Sequence, residues 1–280
     1  MIQLSNCDYK DIIGVVKDKF HFHNVFVYSV LELNQPGTVF VNSKTDPTAG
    51  IIMNRGGCYY VFGDLSDSNF NNSLIAFLQD RSNHANFYDL YSSSVDWHLF
   101  LESALRGEVV QLTRSHYVLD DYDQSNCNTE LPAGFQISKI DKKYYNDYRT
   151  QIDNTYDLLW ESDDDYLQNA FGFSIIGSNG EFASVCNTFF IGGGFIAPDI
   201  LTLEKYRNMG LASIVCTHFI QRSRSLGLKP YWDCDAGNEA SNRLVKRLGF
   251  VKVGDLPILW WHENKDVISN YLKKNNYSKG

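Results

Sequence analysis

Between Ile200 and Ser213 the chain reads Ile-Leu-Thr-Leu-Glu-Lys-Tyr-Arg-Asn-Met-Gly-Leu-Ala-Ser, an apolar stretch passing through a tight basic turn into apolar residues at helical spacing. The chemistry such a passage supports is anion binding. The first N–H groups of a helix have no carbonyl partner and lie at the positive end of its dipole, so those of Leu211, Ala212 and Ser213 can meet a diphosphate. Gly210 lets the backbone approach the anion and Ala212 keeps the wall low, while Arg207 adds charge and Asn208 and Met209 complete the turn. Alone, Arg-x-x-Gly-x-Ala fits an ordinary turn and helix start equally well. Two further features follow in order: a short apolar strand at Tyr231 to Cys234, then Asn238-x-x-Ser241 leading through Leu244 to Leu248-Gly249-Phe250. Singly, Asn238 is a helix cap and Gly249 a helix stop; in sequence with the basic turn they form a pattern that chance explains poorly.

Taken together, Tyr206-Arg207-x-x-Gly210-Leu211-Ala212, Pro230-x-Trp232-Asp233-Cys234, Asn238, Ser241 and Leu248-Gly249-Phe250 closely resemble the GCN5-related N-acetyltransferase superfamily. The variant here looks most like the bacterial branch that includes the zwittermicin-resistance acetyltransferase. The resemblance covers about residues 131 to 263 and implies a mixed, mostly antiparallel sheet flanked by helices, an α/β (α+β) fold that binds acetyl-CoA. It implies that Arg207 to Ser213 cradle the diphosphate, that Leu201, Thr202 and Leu203 offer backbone groups to the pantetheine arm, and that Asn238 and Ser241 lie along that arm. Many relatives place a tyrosine before the Leu-Gly-Phe triplet to protonate the departing thiolate; here that position is Val245, which carries no proton to give.

The reaction implied is direct attack of a neutral primary amine of a small molecule on the thioester, with N–H groups around Leu203 steadying the oxyanion. An alkylamine is mostly protonated at neutral pH, so a carboxylate should take its proton. Asp199, a charge inside an apolar strand, is the first candidate; Glu181, beside a turn, is the second. Cys234 as an acyl carrier would need a histidine to lower its pKa, and none is near in sequence; buried packing is the simpler role for it, and a place on either the surface or the core face of its helix for His218. The alternative to catalysis is an acyl-CoA-binding sensor or scaffold, which would keep the cradle and dispense with acid and base.

Several elements must position these groups. Strands are expected at Thr38 to Asn42, within Gly50 to Gly63, at Gly134 to Ile140, at Phe171 to Ile176 paired with Glu181 to Phe190 across Ser178-Asn179-Gly180, and at Phe195 to Leu203. Helical spacing marks Asn71 to Gln79, Asp96 to Leu105, Gly210 to Leu226 and Asn238 to Leu248, with Ser162 and its three following aspartates starting another. Lys142 to Thr150 and Tyr156 to Trp160 suggest helical or irregular cover, and Phe250 to Val253 with Ile258 to Trp261 reads as a closing hairpin. The acidic stretch Asp120 to Glu130 divides a mixed N-terminal domain, 1–130, from a transferase domain, 131–280.

With 280 residues, 44% of them hydrophobic, the chain can bury a large core, and length favours two domains. Six scattered cysteines, without paired metal-ligand spacing or a basic and apolar leader, point to a reducing, cytoplasmic setting and no metal. A net charge of -8 argues against a nucleic-acid partner, and no apolar run of spanning length points to a membrane. The charge is uneven: 8 Lys+Arg face 16 Asp+Glu before residue 131, against 17 and 17 after it. Gly192-Gly193-Gly194 has no following lysine and opens no helix, so it is a turn or bulge and not a phosphate loop.

Overall fold

The structure, a computed structural model, describes residues 1–17, 24–119, 129–275 and 277. Most of the proposed divider, 120–128, and Cys127 therefore lie outside the described residues. The elements run β1 (Ile2–Gln3), α1 (Tyr9–Lys17), α2 (Val25–Leu31), β2 (Gly37–Val41), β3 (Ala49–Asn54), β4 (Cys58–Gly63), α3 (Ser68–Gln79), β5 (Phe87–Ser92), α4 (Val95–Ala104) and β6 (Val110–Val118). They continue with β7 (Phe135–Lys139), α5 (Lys142–Gln151), α6 (Tyr156–Leu159), α7 (Asp163–Asn169), β8 (Gly172–Gly177), β9 (Phe182–Gly192) and β10 (Phe195–Thr202). The chain closes with α8 (Leu211–Ser225), β11 (Lys229–Asp235), α9 (Glu239–Arg247), β12 (Val251–His262) and α10 (Lys265–Lys274).

Two compact units form: Met1–Ser115 with Asp235–Asn238 and Asp255–Gly280, and His116–Cys234 with Glu239–Gly254. A single cut at residue 130 does not reproduce this division, because β6 and β12 each pass from one unit to the other partway along a continuous strand. The expected closing hairpin is likewise one strand, β12. Its turn-like Gly254-Asp255-Leu256-Pro257 stays extended, with the Asp255 carboxylate accepting from Ser115 Oγ at 2.6 Å.

In the first unit β1 to β4 pair antiparallel in order, β4 runs parallel to β5, and Leu259–His262 of β12 pairs antiparallel with β5. Tyr88, Leu90, Trp97, Leu101 and Trp261 belong to its core. In the second unit β7, β8, β9 and β10 pair antiparallel in order, and β10 runs parallel to β11. Strand alternation sends neighbours Ile175 and Ile176 to different clusters, one formed with α8 and α9, the other with α5 to α7. Both units thus follow one plan: a strand, helices, three antiparallel strands, a helix and a parallel strand. The turns between strands carry the expected glycines, with positive φ at Gly180, Gly193 and Gly194.

Candidate active site

Two prolines open the site. β10 and β11 are eight and seven residues long, yet they pair only at Phe195 with Lys229 and Ile196 with Pro230. Neither Pro230 nor Pro198 has an N–H to extend the ladder, and the β9–β10 register shifts between Ala197 and Pro198. Beyond that point the β11-facing edge of β10 has no strand partner among the described residues. The Leu203 N–H donates to Ala183 O at 3.1 Å, so alternation turns the backbone groups of Leu201 and Leu203 toward β9 and those of Ile200 and Thr202 toward the open edge. The expectation that three residues meet an extended ligand arm narrows to Thr202, joined by the Ile200 carbonyl; the Leu203 N–H is already spent, and the Ile200 N–H is engaged by the Asp199 carboxylate. Alternation could have exposed this from sequence once the register was known.

The open edge leads straight into an uncapped helix. In α3, α4, α5, α7 and α10 an Asp, Ser or Asn side chain accepts from a first-turn N–H. In α8 the cap is Gly210, left-handed at φ 77°, with no side chain on those donors. The N–H of Ile214 is the first to find a helical carbonyl, that of Gly210 at 3.3 Å. Leu211, Ala212 and Ser213 therefore present N–H groups without an acceptor from a capping side chain, at the positive end of a fifteen-residue helix. A side chain at Gly210 would enter open space, since no atom lies within 4 Å of its added Cβ. Asn208 also holds positive φ, 65°, which curls the loop, and Met209 is exposed above the core-packed Leu211. Arg207 is tethered by its Nε to Thr202 O at 3.3 Å. These are the features of a diphosphate cradle, and they fit the phosphates and amide-bearing arm of acetyl-CoA.

Asp199 lies next to the open edge, with its carboxylate enclosed by protein though not sealed from solvent. Tyr148 of α5, itself 1% exposed, donates to Asp199 Oδ2 at 3.1 Å. Burial, reinforced by the nearby Asp153 carboxylate, outweighs the hydrogen bonds from Tyr148 and the Ile200 N–H and raises the Asp199 pKa to about 6. The same surroundings push the Tyr148 phenol well above its usual range. Tyr148 and Asp153 were absent from the sequence reading, because only tertiary packing brings α5 and the turn after it to β10.

Glu181 is placed elsewhere in the unit. Its carboxylate is exposed, ion-paired with Lys205, and accepts from Asn179 Nδ2 at 2.7 Å and from Tyr206 OH at 3.3 Å. Lys205, then Asn179, holds it below the ordinary glutamate range. These bonds tie the β8–β9 turn to the loop that enters α8, a bracing role, and the two carboxylates are not brought together around one group. Phe135 packs edge-on against Tyr206 at 5.6 Å and supports the same loop.

On the far side of the motif, Ser241 Oγ accepts from Trp232 Nε1 at 3.0 Å, pinning α9 to β11. The Asn238 N–H donates to Asp235 O at 3.0 Å, and Asp235–Asn238 clusters with the first unit while Ser241 belongs to the second. Val245 is fully buried in the α8–α9 core, and Cys234 is buried in the same cluster. His218 packs against Phe173 at 5.8 Å, and burial lowers its pKa. Among the described residues no group of three or more His, Cys, Asp or Glu could hold a metal ion, and no helix is long and apolar enough to cross a membrane.

A fold of this plan, with a parted parallel pair feeding an uncapped helix, defines an acyl-CoA-binding class, and a family model described as GNAT acetyltransferase matches residues 17–259. The chain belongs to that family. It is similar to the uncharacterized N-acetyltransferase YdfB of Bacillus subtilis (strain 168), 28% identical over 260 residues that cover 92% of this chain and 97% of that protein. Among solved structures, a GCN5-related N-acetyltransferase-like protein from Streptococcus suis 89/1591 superposes with a TM-score of 0.76 at 18% identity, covering 92% of this chain and 100% of that one. A tandem GNAT protein from the clavulanic acid biosynthesis pathway gives 0.61 at 10% identity, covering 94% and 98%. At these identities the structural likenesses bear on the fold alone.

Proposed function

We propose that the protein transfers an acetyl group from acetyl-CoA to a primary amine of a small molecule, through a ternary complex without a covalent acyl-enzyme. The observation that carries this reading is the juxtaposition along one strand: Asp199, then an open backbone edge, then an uncapped helix start. The helix N–H groups and Arg207 hold the diphosphate, and Ile200 and Thr202 receive the pantetheine arm as an added strand would be received. Asp199 takes one proton from the alkylammonium. The neutral nitrogen then forms its bond to the thioester carbon, the carbonyl oxygen carries the charge against the Thr202 N–H, the nitrogen releases its second proton to solvent, and collapse breaks the carbon–sulfur bond to leave the amide and the CoA thiolate. With Val245 in place of a tyrosine on α9, the thiolate departs without an acid from that helix, which a leaving group of free pKa near ~8.5 tolerates.

A carboxylate titrating near neutral pH suits this task, since it is ionised enough to accept a proton and basic enough to hold it. The finer kinship, to the branch that includes the zwittermicin-resistance acetyltransferase, and an aminated natural product as acceptor belong to the same proposal. Thiol release from acetyl-CoA, measured with a panel of polyamines, amino sugars and arylalkylamines, tests it. Release stimulated by an amine, with the N-acetyl product identified by mass, is the expected result; binding of acetyl-CoA without release under any amine would leave a sensor in its place.

A further inference from the structure

Asp199 does not stand alone on its face of the sheet. In the β9–β10 ladder it lies directly opposite Asn187, and in the β8–β9 ladder Asn187 lies opposite Gly172, so Gly172, Asn187 and Asp199 form one row across three strands. Residues directly opposite in antiparallel strands share a face, with Cβ atoms about 4.5–5.5 Å apart. The absence of a side chain at Gly172 is what makes room for the amide: a Cβ there would collide with Asn187 Oδ1 and lie 2.8 Å from Tyr166 OH. Tyr166 OH donates to Asn187 Oδ1 at 3.0 Å. The oxygen is thus drawn to the β8 side, which leaves the nitrogen on the β10 side, where Asp199 is.

Asn187 is fully buried, and its Nδ2 has no hydrogen-bond partner among the described residues. Tyr156 OH, on α6 and also fully buried, has none either. Two buried donors beside one half-buried carboxylate would each cost about 1–3 kcal/mol if left unpaired, and a single bridging water with two to four polar neighbours removes that cost. We propose that Asn187 and Tyr156 are positioning residues for Asp199, holding its ionised carboxylate through one buried water while Tyr148 holds it directly. The titratable groups that face Asp199 are Tyr148 from α5, Asp153 from the turn after it and Tyr156 from α6; Cys186, next to Asn187 on β9, points to the opposite face into the cluster with α8 and α9. Asp153 is the one carboxylate among them and opposes ionisation, which Tyr148 and the Ile200 N–H favour; in the proposed arrangement the donors on Asn187 and Tyr156 add to that support.

The inference rests on Asp199 as the proton acceptor, but its test does not need turnover. Carbon-13 NMR of the aspartate carboxyls, with the resonance assigned by its loss in Asp199→Asn, follows ionisation at Asp199 against pH in the full-length protein. Asn187→Leu and Tyr156→Phe each remove a donor with little change of volume, and each should raise the midpoint by about one pH unit. The acid limb of kcat/KM should move with it, while acetyl-CoA affinity by calorimetry stays within about twofold of wild type. Should Asn187→Leu fail to fold, Tyr156→Phe alone carries the test. Midpoints unchanged in the folded variants would overturn the assignment. Shifted carboxyl midpoints in a protein that acetylates no amine would keep the row and sink the catalytic reading instead.

Discussion

At the scale of single residues, the account turns on a carboxyl group whose folded pKa lies above its usual value. Asp199 stays protonated in the folded protein up to about pH 6, against 3.8 as its ordinary value. Between those values the folded state binds more proton than the unfolded chain, so stability contributed at this site falls as pH rises through that window and stays reduced above it. Asp199→Asn keeps an acceptor for Tyr148 and removes the charge. It should therefore raise the unfolding free energy above pH 6 by an amount on the order of 1–3 kcal/mol, read as a higher melting temperature, and lose that advantage below about pH 4. The same variant should bind acetyl-CoA normally while kcat/KM at neutral pH falls roughly 10²-fold, a deficit that shrinks toward pH 10 as free amine becomes available without a base. A parallel offset across the whole pH range would remove Asp199 from that role. Its candidacy was visible in sequence as an isolated charge in an apolar strand; Tyr148, Asp153 and Asn187 were not, because each reaches it from an element whose own pattern says nothing about β10.

At the scale of elements, the proposed diphosphate cradle depends on a helix start that lacks a capping side chain and on a loop held in place beside it. The glycine, the basic turn and the apolar period of α8 were all readable from the sequence. The parting of β10 from β11 was also written there, in Pro198 and Pro230, though their meaning depends on knowing which strands adjoin. By contrast β5, β6, α1 and α10 gave no usable signal; in α10 only Ile268 is buried, and β5 places Asp89 among its buried rings. Glu181 illustrates a residue whose place was foreseen and whose partners were not, since the Lys205 and Tyr206 contacts arise only when the β8–β9 turn meets the loop. Glu181→Gln should loosen that loop and raise the KM for acetyl-CoA severalfold with little change in kcat, an effect of the modest size exposed ion pairs have. A fall in kcat with KM unchanged would argue for a role in chemistry. Arg207→Ala, which loses one exposed charge, should weaken acetyl-CoA binding mildly and less so at high salt.

At the scale of the whole molecule, two units share one plan, and among the described residues the proposed diphosphate cradle lies in the second. In the first unit β4 and β5 stay paired from Cys58 with Asp89 through Val61 with Ser92, and the N–H donation of Asp89 to Gly57 O and Ser93 to Val61 O extends the seam. The helix that follows, α3, is capped by the Asp67 carboxylate, which accepts from the Phe70 N–H at 3.0 Å. A paired edge and a negatively charged cap disfavour a diphosphate at the place that corresponds to the proposed cradle of the second unit. The division of the chain was legible only as a change in charge and a polar stretch; strands that pass between units left no mark in composition. Because Tyr117 and Leu119 belong to the second unit's core, and Tyr117 OH donates to Asn242 Oδ1 at 2.5 Å, a fragment beginning at residue 131 should melt well below the intact protein. The measurement that bears most directly on the central claim is calorimetric titration of the intact chain with acetyl-CoA, beside Gly210→Asp. One equivalent should bind, and a carboxylate set on the uncapped start of α8 should weaken that binding at least ~10-fold in a folded protein. Two equivalents, none, or an affinity indifferent to Gly210→Asp would contradict the account.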